Sequence, residues 1–289
     1  MGTTIGADIR GFDLKSLTTA EYRFIRRAWL DHLVLRIRGQ SFGDDEHVAF
    51  ARMFGDLERP ARVINTGRGL HAGYPEISVI SNITEKGVPI GSLGDGELVW
   101  HSDMSFVERP PAASLLHALE VPRLGGDTGF LNMYAVYEDV PPELKSAIVG
   151  KSIKHENVHG SDMRVRPGVR EPDSGDVRDY PGAVHPIVRT HPETGRQALY
   201  LGRRCNAYIL DLPIDESEEL LDRLWALAER SGKVFTQKWE IGDLIIWDNR
   251  CVMHRRAGFD AAMRRRMHRV VIGGEKPFYE DGRSPVAAI

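Results

Sequence analysis

Residues 244–254 read LIIWDNRCVMH. A short apolar run of strand length, 244–247, meets Asp248, Asn249 and Arg250, which read as a turn. A second apolar step then ends on His254. The same rhythm recurs outward along the chain. Upstream, 113–118, 128–132, 152–157, 184–190, 197–201 and 234–239 are short β-like runs, and 269–272 follows downstream. Pro, Gly, Asp and Asn turns separate them, as a sandwich or jelly roll requires. The runs do not alternate regularly with helices, which argues against a doubly wound parallel sheet.

Helices flank this β region. Thr18 and Glu21 have capping-box spacing, and the stretch to His32 reads as a helix. LVLRI at 33–37 reads as a strand, and DDEHVAFARMF at 44–54 reads as a second helix. A stronger helix starts near Asp215, taken as its N-cap, with Leu220, Leu221, Leu224, Trp225, Leu227 and Ala228 on one face. From 55 to 100 the text is irregular except for EISVI at 76–80. So long a loop-rich stretch predicts an active-site lid, placed at 63–99. The charged, apolar-poor segment 160–182 is expected to be a mobile loop near an opening. The fold class expected is mainly β with flanking helices (α+β), in a single domain over 1–289.

Composition narrows the function. The 289 residues carry 38 Lys and Arg against 41 Asp and Glu, a formal charge of −3. That balance argues against a nucleic-acid binder, which needs a basic excess to neutralise phosphates. No apolar run reaches the ~20 residues of a membrane helix. The first residues lack a basic segment followed by an apolar one, and Cys205 and Cys251 are too few to staple the chain. A cytoplasmic protein with reduced thiols is expected.

Two words carry the chemistry: WHSD at 100–103 and WDNRCVMH at 247–254. His101 and Asp103 stand at i, i+2, so on a strand both would face one side. With His254 they would make a two-histidine, one-carboxylate set, which leaves positions open on an octahedral ion and suits non-haem Fe(II). The residues alone equally allow a hydrogen-bonded core histidine and a turn aspartate. Two further features favour the metal. GGDTGF at 125–130 brings the Thr128 hydroxyl into a strand, and RRRMHR at 264–269 feeds an apolar run. Strand periodicity puts Arg265, Met267 and Arg269 on one face and Arg264, Arg266 and His268 on the other. An inward arginine is the natural partner of a buried dicarboxylate.

These words, with IGADIRGFDL, HVAFARMFGDLERP, EVPRLGGDTGF, HPIVRTHPETGRQALYLG and RRRMHRVVIGGEKP, occur in order over nearly the whole chain. The sequence resembles the TauD/TfdA family of Fe(II)- and 2-oxoglutarate-dependent dioxygenases. The resemblance implies a double-stranded β-helix, or jelly roll, and makes His101, Asp103 and His254 the iron ligands. It assigns Thr128 and Arg265 to the distal carboxylate of 2-oxoglutarate, and Arg269 to an acidic substrate or the co-substrate. It also implies that O2 is consumed, that succinate and CO2 are released, and that a small, anionic molecule is hydroxylated: a carboxylate, aryloxyalkanoate or sulfonate. His71, Tyr74 and Asn82 are candidate substrate contacts within the lid. A zinc hydrolase using the same ligands would leave Thr128 and Arg265 without a role. A non-catalytic cupin-like binder would be expected to lack a ligand. A homo-oligomer is expected by analogy with related folds.

Overall fold

The computed structural model describes residues 5–58, 70–71 and 73–281. Residues 63–69 and 72 of the expected lid lie outside them. The helices are α1 (Thr19–His32), α2 (Asp44–Arg52), α3 (Met133–Glu138), α4 (Pro142–Ile148) and α5 (Ile214–Arg230). The strands that frame the site are β1 (Ala7–Ile9), β2 (Val34–Ile37), β3 (Leu70–His71), β4 (Tyr74–Ser81), β5 (Leu98–His101), β6 (Ala113–Glu120), β7 (Thr128–Asn132), β8 (Val234–Gln237), β9 (Leu244–Asp248), β10 (Val252–Arg256) and β11 (Arg266–Ile272). The larger sheet runs β1-β2-β9-β6-β11-β4-β3, and the smaller runs β8-β7-β10-β5. The protein is thus mostly β with flanking helices.

The apolar pattern of each strand explains the layering. On one face of the larger sheet Leu115, Leu244, Ile246 and Val270 pack with Ile25 and Trp29 of α1 and Phe50 of α2. On the other, Leu116, Ile245, Trp247 and Met267 pack with Phe130, Leu131 and Met253 of the smaller sheet. Alternation along a strand sends neighbours to opposite layers, so β11 carries Met267 inward and His268 outward.

Local signals fix the ends of elements. Thr18 caps α1, its hydroxyl accepting from Glu21 N while the Glu21 carboxylate accepts from Thr18 N. The α5 helix differs from expectation: Pro213 is its N-cap, and Asp215 sits in its first turn, where an acid favours the helix dipole. The run 184–190 divides into Gly182–Pro186 and Val188–Thr190, which join different sheets. Pro186 and its missing N–H mark the break. The short helices α3 and α4 escape a periodicity reading. Asn132 caps the first through two backbone N–H groups, and Pro142 begins the second. Among the described residues no helix is long and apolar enough to cross a membrane.

Candidate metal centre

Register brings the two histidines together. His101, at the end of β5, is the cross-strand partner of His254 on β10, and their ring centroids are 4.2 Å apart. The Nε2 atoms of His101 and His254 each lie 3.9 Å from Asp103 Oδ1. Asp103 does not continue the strand. β5 ends at His101, and Asp103 stands in the turn that follows, beside Met104 at φ 48°. Strand alternation is therefore not what aligns the carboxylate with His101. Asn249 does so, from the turn between β9 and β10. Its Oδ1 accepts from Asp103 N at 2.7 Å, and its Nδ2 donates to Asp103 O at 2.9 Å and Pro111 O at 3.0 Å.

The protonation states suit a cation. His101 donates from Nδ1 to Val99 O at 2.7 Å, which leaves a lone pair on Nε2. Burial pushes the His101 imidazole down to about 3, with His254 adding to the effect. Burial lowers His254 in the same way. For Asp103 burial works the other way, but Arg269, His254 and His101 outweigh it and hold the carboxyl well below its usual range. Two neutral imidazoles and a carboxylate are the forms that bind a divalent metal. Asp103 Oδ2 also accepts from the Ser114 hydroxyl at 2.9 Å, which fixes the carboxylate plane.

Arg269 reaches this centre. Its Nη1 lies 3.1 and 3.2 Å from the two oxygens of Asp103. The expected division of the basic run holds. Arg264 and Arg266 pair with Glu120 at the surface, and His268 meets Asp44 on the far layer. Arg265 lies just before β11 and is 2% exposed, with no hydrogen-bond partner for Nε or Nη1 among the described residues. Burial, with repulsion from Arg256 added, lowers its pKa to about 9. Arg256 is the register partner of Thr128. The Trp239 indole donates to Thr128 Oγ1 at 3.0 Å, so the hydroxyl proton of Thr128 is available for an acceptor.

Three other expected contacts fall elsewhere. His71 Nε2 lies 3.0 Å from Asp44 and Tyr74 OH donates to Asp45, both at the start of α2, so neither belongs to the group around Asp103. Asn82 sits behind Arg265: its Oδ1 accepts from Arg265 N, and its Nδ2 donates to Met263 O. It shapes the arginine's backbone. Sequence reading missed Asn249, Ser114, Trp239 and Arg256. Only Arg256 carried a local signal, standing two residues beyond His254 on a strand.

Residues 1–271 match the TauD/TfdA family, described as taurine catabolism dioxygenase. This chain belongs to that family. It is 34% identical over 271 residues to an α-ketoglutarate-dependent 2,4-dichlorophenoxyacetate dioxygenase of Cupriavidus pinatubonensis, covering 91% of this chain and 92% of that protein. The crystal structure of a taurine dioxygenase from Burkholderia xenovorans superposes with a TM-score of 0.77 at 30% identity, over 98% of this chain and 94% of that one. The enzyme AAD-2, in complex with Mn(II) and N-oxalylglycine, gives 0.75 at 29% identity over 96% of both chains. This TauD/TfdA protein is accordingly an α-ketoglutarate-dependent dioxygenase, an oxidoreductase.

Proposed function

We propose that this dioxygenase uses Fe(II), 2-oxoglutarate and O2 to hydroxylate a small anionic organic molecule. The observation that carries the reading is the pairing of two features: a buried His101–Asp103–His254 group, and a buried Arg265 whose Nε and Nη1 have no hydrogen-bond partner among the described residues. The first is a metal site of the two-histidine, one-carboxylate kind. The second is a cation waiting for an anion. A hydrolytic zinc site has no use for it.

His101 and His254 would hold Fe(II) through Nε2, and Asp103 through its carboxylate. When bound, the iron supplies the redox chemistry that couples oxidative decarboxylation of 2-oxoglutarate to substrate hydroxylation. The side chains orient and neutralise. Arg265 and the Thr128 hydroxyl receive the distal carboxylate of the co-substrate, and Arg256 adds positive potential opposite Thr128. Arg269 holds Asp103 and offers its remaining N–H groups to an anionic substrate. Relatives named for 2,4-dichlorophenoxyacetate and taurine, a carboxylate and a sulfonate, support an acidic substrate. We assign the architecture to a jelly-roll domain, with 63–99 as a lid and 160–182 as a loop at the opening. Cys205 and Cys251 are both free thiols, in keeping with a cytoplasmic site of action.

Anaerobic addition of Fe(II) and 2-oxoglutarate should give the weak visible charge-transfer band of the chelate. Its absence would sink the reading. A succinate-release screen over carboxylates, sulfonates, sulfate esters and aryloxy acids then identifies the substrate class.

A further inference from the structure

On the outward layer of β11, away from Asp103, a second group of metal-ligating side chains converges. Asp44 opens α2, His71 ends β3 and His268 lies on β11. His268 Nδ1 is 2.6 Å from Asp44 Oδ1, and His71 Nε2 is 3.0 Å from Asp44 Oδ2. The three ligand atoms all lie within 4.8 Å of one another. Around a tetrahedral Zn2+ with bonds near 2.1 Å, neighbouring ligand atoms stand about 3.4 Å apart. To accept the ion, His71 Nε2 need draw back from Asp44 by about 0.4 Å and His268 Nδ1 by about 0.8 Å, within reach of side-chain rotation.

From these contacts we propose that Asp44, His71 and His268 form a second metal site, for Zn2+ or a similar borderline dication. The site goes beyond the dioxygenase activity and shares no ligand with its centre. The donor set is two imidazoles and a carboxylate, which Zn2+ favours. The side chains of Asp44 and His71 are 24% and 26% exposed, so an ion has an entry path and water can complete its shell. Asp45 and Glu46 follow in the same helical turn and add negative charge. The α2 N-terminus and Arg266 oppose a cation, but among the described residues no Lys or Arg pairs with Asp44.

The other spare clusters are weaker. Asp248 of the His191–Asp248–Cys251 group is bound by Arg250 at 2.7 Å. Glu156 of the Glu156–His159–Cys205 group faces Arg203 at 3.6 Å. Among the described residues, only at Asp44 do both carboxylate oxygens face imidazoles. An ion there would tie the β3–β4 hairpin and α2 to β11, the strand that carries Arg269 to Asp103. The site would thus stiffen the support of the active centre without touching it.

The test counts zinc. The full-length protein is equilibrated with Zn2+, dialysed, and assayed for bound metal. Wild type should retain two equivalents. Asp44→Asn and His268→Gln should each lose one, and His254→Ala should lose the other. A single equivalent in wild type that His254→Ala removes would overturn this site and leave the first centre intact. Two equivalents that survive Asp44→Asn would overturn it as well. Should the variants misfold, carbethoxylation of His71 in the wild-type chain, read by mass spectrometry, gives the same answer. Zn2+ should slow labelling at least tenfold, and unchanged labelling would refute the site.

Discussion

Replacing Arg265 with methionine should stabilise the co-substrate-free protein while crippling its hold on 2-oxoglutarate. The side chain is buried, and among the described residues its Nε and Nη1 have no hydrogen-bond partner. Burial takes its pKa from the ordinary 12.5 to about 9, which corresponds to about 5 kcal/mol against the charged form. Replacing even a buried ion pair by apolar side chains of similar volume gains up to about 1–4 kcal/mol, and a buried charge without a counter-ion is less well compensated than a pair. Taking the middle of that range, Arg265→Met should gain about 2.5 kcal/mol. In a chain of this length that raises the melting temperature by roughly 4 °C. The same exchange removes a desolvated ion pair from the co-substrate complex, a loss of about 2–5 kcal/mol, so the 2-oxoglutarate dissociation constant should rise about 30-fold or more. Scanning calorimetry without co-substrate measures the first effect, and anaerobic titration of the visible band measures the second. A variant that melts lower than wild type, or that binds 2-oxoglutarate unchanged, would refute the assignment of Arg265 as a cation kept for an anion.

Asn249→Ala removes three buried hydrogen bonds to the Asp103 turn, and should cost about 3 kcal/mol and weaken metal binding 10–100-fold, measurable by urea melts and metal titration. Gly202→Ala should destabilise by more than about 2 kcal/mol. Its backbone is at φ +63°, a Cβ there would meet His155 Nδ1 at 1.8 Å, and the Gly202 carbonyl accepts from Ser102 N beside the metal ligands. A near-wild-type melting curve would contradict this. His47 is fully buried with no hydrogen-bond partner among the described residues, and burial lowers its pKa from 6.5 to about 3. Its native state refuses a proton that the unfolded chain accepts. The neutral form therefore stabilises the fold above pH 6.5, and that contribution is lost as pH falls from 6.5 towards 3. Between pH 7 and 5.5 wild type should lose about 1 kcal/mol more than His47→Phe in urea melts.

The parts of this protein legible in its sequence are those that local chemistry decides. Alternation in RRRMHR separates inward Met267 and Arg269 from outward Arg266 and His268. Thr18 and Glu21 place the start of α1 for the same reason. The carboxylate of Asp103 was less legible, because a turn and a side chain from a distant hairpin hold it, and neither has a periodicity. His71 and Tyr74 misled for a related reason. Their polar groups suit a substrate as well as they suit Asp44 and Asp45, and only tertiary placement chooses between the two. Pro213 displaced Asp215 from the cap of α5 by a shift of two residues, within the usual blur of helix ends.

The pairing of His101 with His254 across two strands has a consequence for how this chain can tolerate change. Side chains on a strand alternate, so inserting or deleting one residue between 98 and 101, or between 252 and 254, would swing an imidazole to the opposite surface. In the two ligand strands, length therefore matters to the metal group as much as the histidines themselves.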